Sequence, residues 1–153
     1  MPNQPEFTDI TGIPTYGRLL AIDPGTKRVG VAVSDKLQKI AKRVKTIKRT
    51  SWKKLLIEIN STVAEFDAVA LIVGLPFNFD GTESEMSAEA RAMARKFGLS
   101  LSIPVILQDE RTTTYQARRN LWNLGKNENQ VRDLVDSEAA AIILDDFLSL
   151  PRS

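Results

Sequence analysis

The sequence predicts an α/β fold, a mixed five-stranded sheet flanked by helices. Three observations carry that prediction. Two Val-, Leu- and Ile-rich runs lie close together near the start, separated by a Pro-Gly turn. Two later apolar runs, "AVALIVG" and "IPVILQDE", stand alone between polar stretches. Residues between and after them repeat their apolar positions at helical spacing.

Residues 19–23 and 29–34 read as a β-hairpin. Residues 40–47 alternate roughly between Ile40, Lys42, Val44 and Thr46 on one side and Ala41, Arg43, Lys45 and Ile47 on the other. Mixed faces of that kind suit a partly buried third strand. Ser51 opens a helix whose apolar positions Trp52, Leu55, Leu56, Ile59, Val63 and Phe66 share one face. Residues 68–74 form a continuous apolar run, as expected of a central strand covered on both faces. Thr82 and Glu85 offer a capping box for a helix reaching about Phe97. Residues 103–110 read as a second central strand ending in carboxylates. Thr113 and Gln116 suit the start of a helix that stops near Gly125, and "GKNENQVRD" reads as a polar, mobile connection. The last helix is expected from about Ser137 to Leu148, with Asp136 at its start. Antiparallel strands come first, then parallel strands joined by crossover helices.

The chain has 153 residues, which suits one domain over 18–150 preceded by a flexible arm at 1–17. No apolar run approaches the ~20 residues that cross a bilayer. The first 18 residues resemble neither a signal nor a transit peptide, so a cytoplasmic location is expected, with no membrane partner. The chain contains no cysteine and no histidine. Disulfides, thiolate nucleophiles, Cys/His zinc sites and imidazole bases are therefore excluded. Catalysis, if present, must use carboxylates, hydroxyls, lysines or a metal held by oxygen. Net charge is +2, but the distribution is uneven: residues 36–54 hold nine cations and no acid. That segment suits a solvated surface and a phosphate-binding patch equally well.

Carboxylates end three apolar elements. Asp23 follows the first strand, Asp109 and Glu110 follow the last, and Asp136 opens the final helix on the same face as Ala140, Ile143 and Phe147. Each has an ordinary explanation. Asp23 suits the first position of a type II turn in "DPGT", Asp136 suits a helix N-cap, and Asp109 or Glu110 is able to pair with Arg111. Together they point to one edge of the sheet, where α/β sites form. Clustered carboxylates repel one another unless a cation intervenes, and a hard divalent ion, Mg²⁺ or Mn²⁺, is the natural choice. Two such ions support phosphodiester hydrolysis without imidazole. Lys27, Arg28 and Arg111 would then bind substrate phosphates. In the loop "LPFNFDG", Asn78 and Asp80 are placed to touch substrate, and Phe77 and Phe79 suit either base stacking or core packing.

Four stretches resemble one family in order: "IDPGTKRVGVAVSD", "LIVGLPFNFDGTES", "LQDERTTTYQARRNL" and "VDSEAAAIIL". The sequence resembles the YqgF/RuvX family of Holliday-junction resolvase-like proteins throughout residues 18–149. That resemblance implies an RNase H-like domain with a divalent-metal carboxylate site, and a nuclease trimming the 5′ end of pre-16S rRNA during ribosome biogenesis. An older inference for the family is resolution of Holliday junctions. Carried over by position, Asp23, Glu110 and Asp136 are the catalytic and metal-binding acids, with Glu110 preferred to its neighbour Asp109. Glu138 is a possible fourth carboxylate. The expected partner is nucleic acid, structured RNA in the first place and branched DNA in the second. A catalytically inactive binding module keeps the fold without the chemistry. Oligomeric state is left open.

Overall fold

The computed structural model describes residues 12–25, 27–76, 84–109, 125 and 128–150. Strands β1 (Leu19–Pro24) and β2 (Arg28–Ser34) form the antiparallel hairpin, and β3 (Ala41–Lys48) pairs antiparallel with β2. Helix α1 (Trp52–Phe66) leads to β4 (Ala70–Leu75), which runs parallel to β1. Helix α2 (Glu85–Ser100) leads to β5 (Val105–Asp109), parallel to β4, and helix α3 (Glu128–Leu148) closes the order. The five strands lie in the order β3-β2-β1-β4-β5.

Alternation along the strands builds two cores. On β1, Leu20 and Ile22 face α1 and α2, while Leu19 and Ala21 face α3. The first core gathers Leu55 and Ile59 of α1 with Met93 and Phe97 of α2 beneath Val29, Val31, Leu71 and Val73. The second gathers Ala140, Ile143 and Phe147 of α3, none of them solvent-exposed, against Ala32, Ala70, Ile72 and Ile106. Ala21, Ala32, Ala70 and Gly30 on that face are small, which lets the helix settle close.

Before β1, Ile13 is buried in the second core, and the Gln38 amide donates to the backbone carbonyls of Pro14 (2.9 Å) and Gly17 (3.0 Å). Ser51 caps α1 by accepting from the Lys54 amide at 3.2 Å, and Asp67 ends that helix in the left-handed conformation.

Three sequence expectations shift. The capping box of α2 uses Ser84 and Ser87 rather than Thr82 and Glu85: each serine's hydroxyl accepts from the other's backbone amide. Ser87 also donates to the Pro76 carbonyl, fastening α2 to the end of β4. Strand β5 lies at the sheet's edge among the described residues, not in its middle. It is apolar because helices cover both its faces, Leu107 meeting the first core and Ile106 the second. Helix α3 begins at Glu128, so Asp136 lies within it rather than at its cap. The stretch read as a mobile connection supplies its first turns, since Glu, Gln and Arg are adequate helix formers. The helix expected from Thr113 lies outside the described residues.

Candidate active site

Asp23 is the penultimate residue of β1 and only 8% exposed. Alternation with Leu19 and Ala21 places it on the side of the sheet that α3 covers. Its cross-strand partner on β2 is Gly30. A Cβ added to Gly30 would lie 1.8 Å from the Asp136 carbonyl oxygen, 2.1 Å from its carbon and 2.7 Å from the Ser137 nitrogen. The backbone of α3 therefore rests directly on the strand at this point, and only glycine allows it. This contact sets Asp136 over the residue paired with Asp23. Residues from opposite ends of the sequence are thereby brought to the carboxyl edge of the parallel strands, where α/β sheets build their sites.

The Asp136 side chain is 20% exposed. Burial raises its carboxyl above the ordinary value, while the Arg28 guanidinium, by charge and by hydrogen bond, pulls it back only in part. Arg28 Nε donates to Asp136 Oδ2 at 3.1 Å, and the arginine is itself 43% exposed. It stands two residues before Gly30 on the same side of β2 and is in register with Lys48 of β3. Lys27 is exposed at the turn between β1 and β2, and its carbonyl accepts from the Arg49 amide at 2.9 Å. Arg49 Nη1 donates to the Gly25 carbonyl, also at 2.9 Å, which ties that turn to the end of β3. Glu138, two residues after Asp136 on α3, is held by Arg43 at 3.4 Å.

Of the residues singled out in the sequence, Asp23, Asp136, Lys27 and Arg28 thus lie at one edge, with Arg28 paired directly to Asp136. Glu110, Arg111 and Asn78 lie outside the described residues. Asp109 is half-buried at the end of β5, level with Leu75. Gly30 was not singled out, although one signal was available: it is the lone glycine inside the β-branched run "RVGVAVS", a position that often marks close backbone approach.

Among the described residues, no group of three or more His, Cys, Asp or Glu side chains is gathered closely enough to hold a metal ion. The donors present are nonetheless of one kind. Asp23 and Asp136 offer only carboxylate oxygens in a largely buried setting, with the Arg28 guanidinium against Asp136. That chemistry fits a hard, oxygen-bound divalent cation.

A sheet in this order, with an antiparallel hairpin at its centre and an acid-bearing last helix laid across it, is an RNase H-like fold. The crystal structure of the fowlpox virus Holliday junction resolvase shares this architecture, with a TM-score of 0.50 and 12% identity, over 86% of this chain and 99% of that one. Sequence comparison narrows the class. The family model for RuvX, described as Holliday junction resolvase, matches residues 17–150. Relatives named "Putative pre-16S rRNA nuclease" include one from Novosphingobium aromaticivorans, 40% identical over 84% of this chain and 82% of its own length. Another, from Anaeromyxobacter dehalogenans, is 36% identical over 86% of this chain and 96% of its own length. The chain belongs to the RuvX family of nucleases.

Proposed function

We propose that this chain is a metal-dependent nuclease of the cytoplasm that hydrolyses phosphodiester bonds at the 5′ end of pre-16S rRNA. The observation that supports the proposal is the contact of the Asp136 backbone with Gly30, the strand partner of Asp23, at the carboxyl edge of the sheet. The names of the relatives support the choice of substrate.

In this reading Asp23, Asp136 and Glu110 are the acids that would hold Mg²⁺ or Mn²⁺, as two ions. Bound there, the ions would lower the pKa of a water and offset charge on the leaving oxygen. The protein's own residues position the substrate. Lys27 and Arg28 stand exposed beside the acids, within reach of phosphate oxygens, and Arg111 and Asn78 are assigned to the same task. Arg28 has two roles here: it holds Asp136 in place and presents the exposed part of its guanidinium to the phosphate. The burial of Asp23 keeps the carboxylate away from bulk water, where its interactions would be weaker.

The description of the family model favours one second reading, resolution of four-way DNA junctions. Cleavage of a 5′-extended pre-16S rRNA fragment against cleavage of a four-way junction, each in Mg²⁺ and in Mn²⁺, decides between them. Cutting of the RNA at its 5′ extension supports the proposal. Paired symmetric nicks in the junction, with the RNA left whole, replace it by the second reading.

A further inference from the structure

The segment with nine cations and no acid is only partly used by the site described above. In the structure it forms β3 and leads through Arg49, Thr50 and Ser51 into α1. Strand β3 is an edge of the sheet among the described residues, so the backbone groups on its outer side are open to a partner. Between that edge and α1 lies a hollow of about 310 Å³, lined by Lys45, Lys48, Thr50, Lys54, Leu55 and Glu58. It shares Thr50 and Leu55 with a second hollow of about 290 Å³ that holds Arg49 and Glu89. The two acids are each engaged already, Glu58 with Lys45 at 3.6 Å and Glu89 with Arg49 at 3.8 Å. Lys48 and Lys54 are exposed and belong to no ion pair among the described residues. The groove thus carries surplus positive charge at two points along its length.

It approaches the site at the end of β3, on the opposite face of the sheet. Lys48 is the register partner of Arg28, whose guanidinium holds Asp136. Lys48 shares with Arg28 the face that α3 covers and also lines the hollow on the α1 side, so the cations pass from one face of the sheet to the other around the end of β3 at this residue.

We propose that the groove between β3 and α1 binds the sugar-phosphate backbone of the nucleic-acid substrate outside the scissile bond. The proposal rests on the nuclease reading and adds the path by which the substrate leaves the acid pair. Charge complementarity argues for this occupant, and the approach to the phosphate-binding edge at the end of β3 argues for the same substrate strand. A second copy of the chain adding its β3 to this edge is disfavoured, because it would set Lys42, Lys45 and Lys48 near the same cations.

The test is fluorescence anisotropy of a labelled RNA hairpin with a 5′ single-stranded extension, titrated with the full chain at several salt concentrations. All proteins carry Asp23→Asn, so that the probe is not consumed. Lys48→Gln with Lys54→Gln is compared with Lys36→Gln plus Lys39→Gln, which removes the same charge at the β2–β3 turn. Circular dichroism melts confirm that both pairs fold. Each phosphate contact contributes about 0.7–0.9 to the slope of log affinity against log salt. The groove variant is expected to bind more weakly and to lose about 1.5 from that slope, and the turn variant to keep it. Equal slopes in the two variants overturn the proposal, as does a β3-dependent dimer in sedimentation velocity. The nuclease reading is tested separately by cleavage with and without Asp23→Asn, so the groove assignment is able to fail while that reading stands. If no RNA binds at any salt concentration, both fall.

Discussion

The close seat of α3 on β2 makes Gly30→Ala an informative perturbation. The new methyl would start 1.8 Å from the Asp136 carbonyl oxygen, where real Cβ contacts essentially never fall below 3.0 Å. Since the clashing atoms are backbone, no side-chain rotation relieves the overlap, and helix or strand must retreat by about 1.2 Å. Two effects on stability oppose one another. Alanine is a better strand residue than glycine by about 0.5–1 kcal/mol. Overpacking at a tight contact costs about 1–3 kcal/mol, and backbone overlap belongs at the upper end. The net loss is therefore about 1–2 kcal/mol, and for a chain of this size each kcal/mol lowers Tm by about 2–4 °C. The catalytic effect is expected to be larger, because a misplacement of about 1 Å at a reacting site costs on the order of 10²-fold in rate. Thermal unfolding and single-turnover cleavage of pre-16S rRNA, measured on the same preparation, check both. An alanine variant with unchanged or raised Tm and full activity refutes the contact, and with it the means by which Asp136 reaches the strand partner of Asp23.

Further outcomes follow from the same geometry. Burial raises the Asp136 carboxyl, so the folded chain binds that proton more tightly than the unfolded chain; the destabilisation is absent below the ordinary value of 3.8 and complete above the raised one. In EDTA, Asp136→Asn is accordingly expected to melt higher than wild type at pH 7, with the advantage shrinking as pH falls toward 3.8; an advantage that grows on acidification contradicts this. Saturating Mg²⁺, at about 100 times its Kd, is expected to raise the wild-type Tm by on the order of 5–10 °C. Asp23→Asn should lose most of that shift in differential scanning calorimetry. Arg28→Ala is expected to change stability by no more than about 1 kcal/mol, because the pair is partly solvated. Its RNA affinity should fall, and the salt slope should drop by about 0.7–0.9.

Much of this architecture was visible in local patterns. The hairpin announced itself through two apolar runs around Pro24 and Gly25, and α1 through Leu55, Ile59 and their neighbours on one face. Asp23 stood out because a carboxylate closing an apolar strand calls for an explanation. Other features depend on tertiary context. Helix α3 starts early because Glu128, Asn129 and Gln130 extend it with a polar first turn, ahead of the apolar positions Val131, Leu134 and Val135. Strand β5 resembled a central strand because helices bury both its faces even at the edge of the sheet. Thr82 and Ser84 each had a hydrogen-bonding side chain three residues on, and the choice of Ser84 is tied to Ser87 reaching back to Pro76 at the end of β4. The role of Gly30 is a contact with the far end of the sequence, and no local window contains both partners.

The most direct test of the acid-pair account is single-turnover cleavage of a 5′-extended pre-16S rRNA fragment in Mg²⁺, with wild type and Asp23→Asn side by side. Asparagine keeps the shape of the side chain but removes the charge. The account predicts cutting by wild type that Asp23→Asn abolishes while RNA binding persists. Equal cleavage by the two proteins, or binding without cleavage by either, would contradict it.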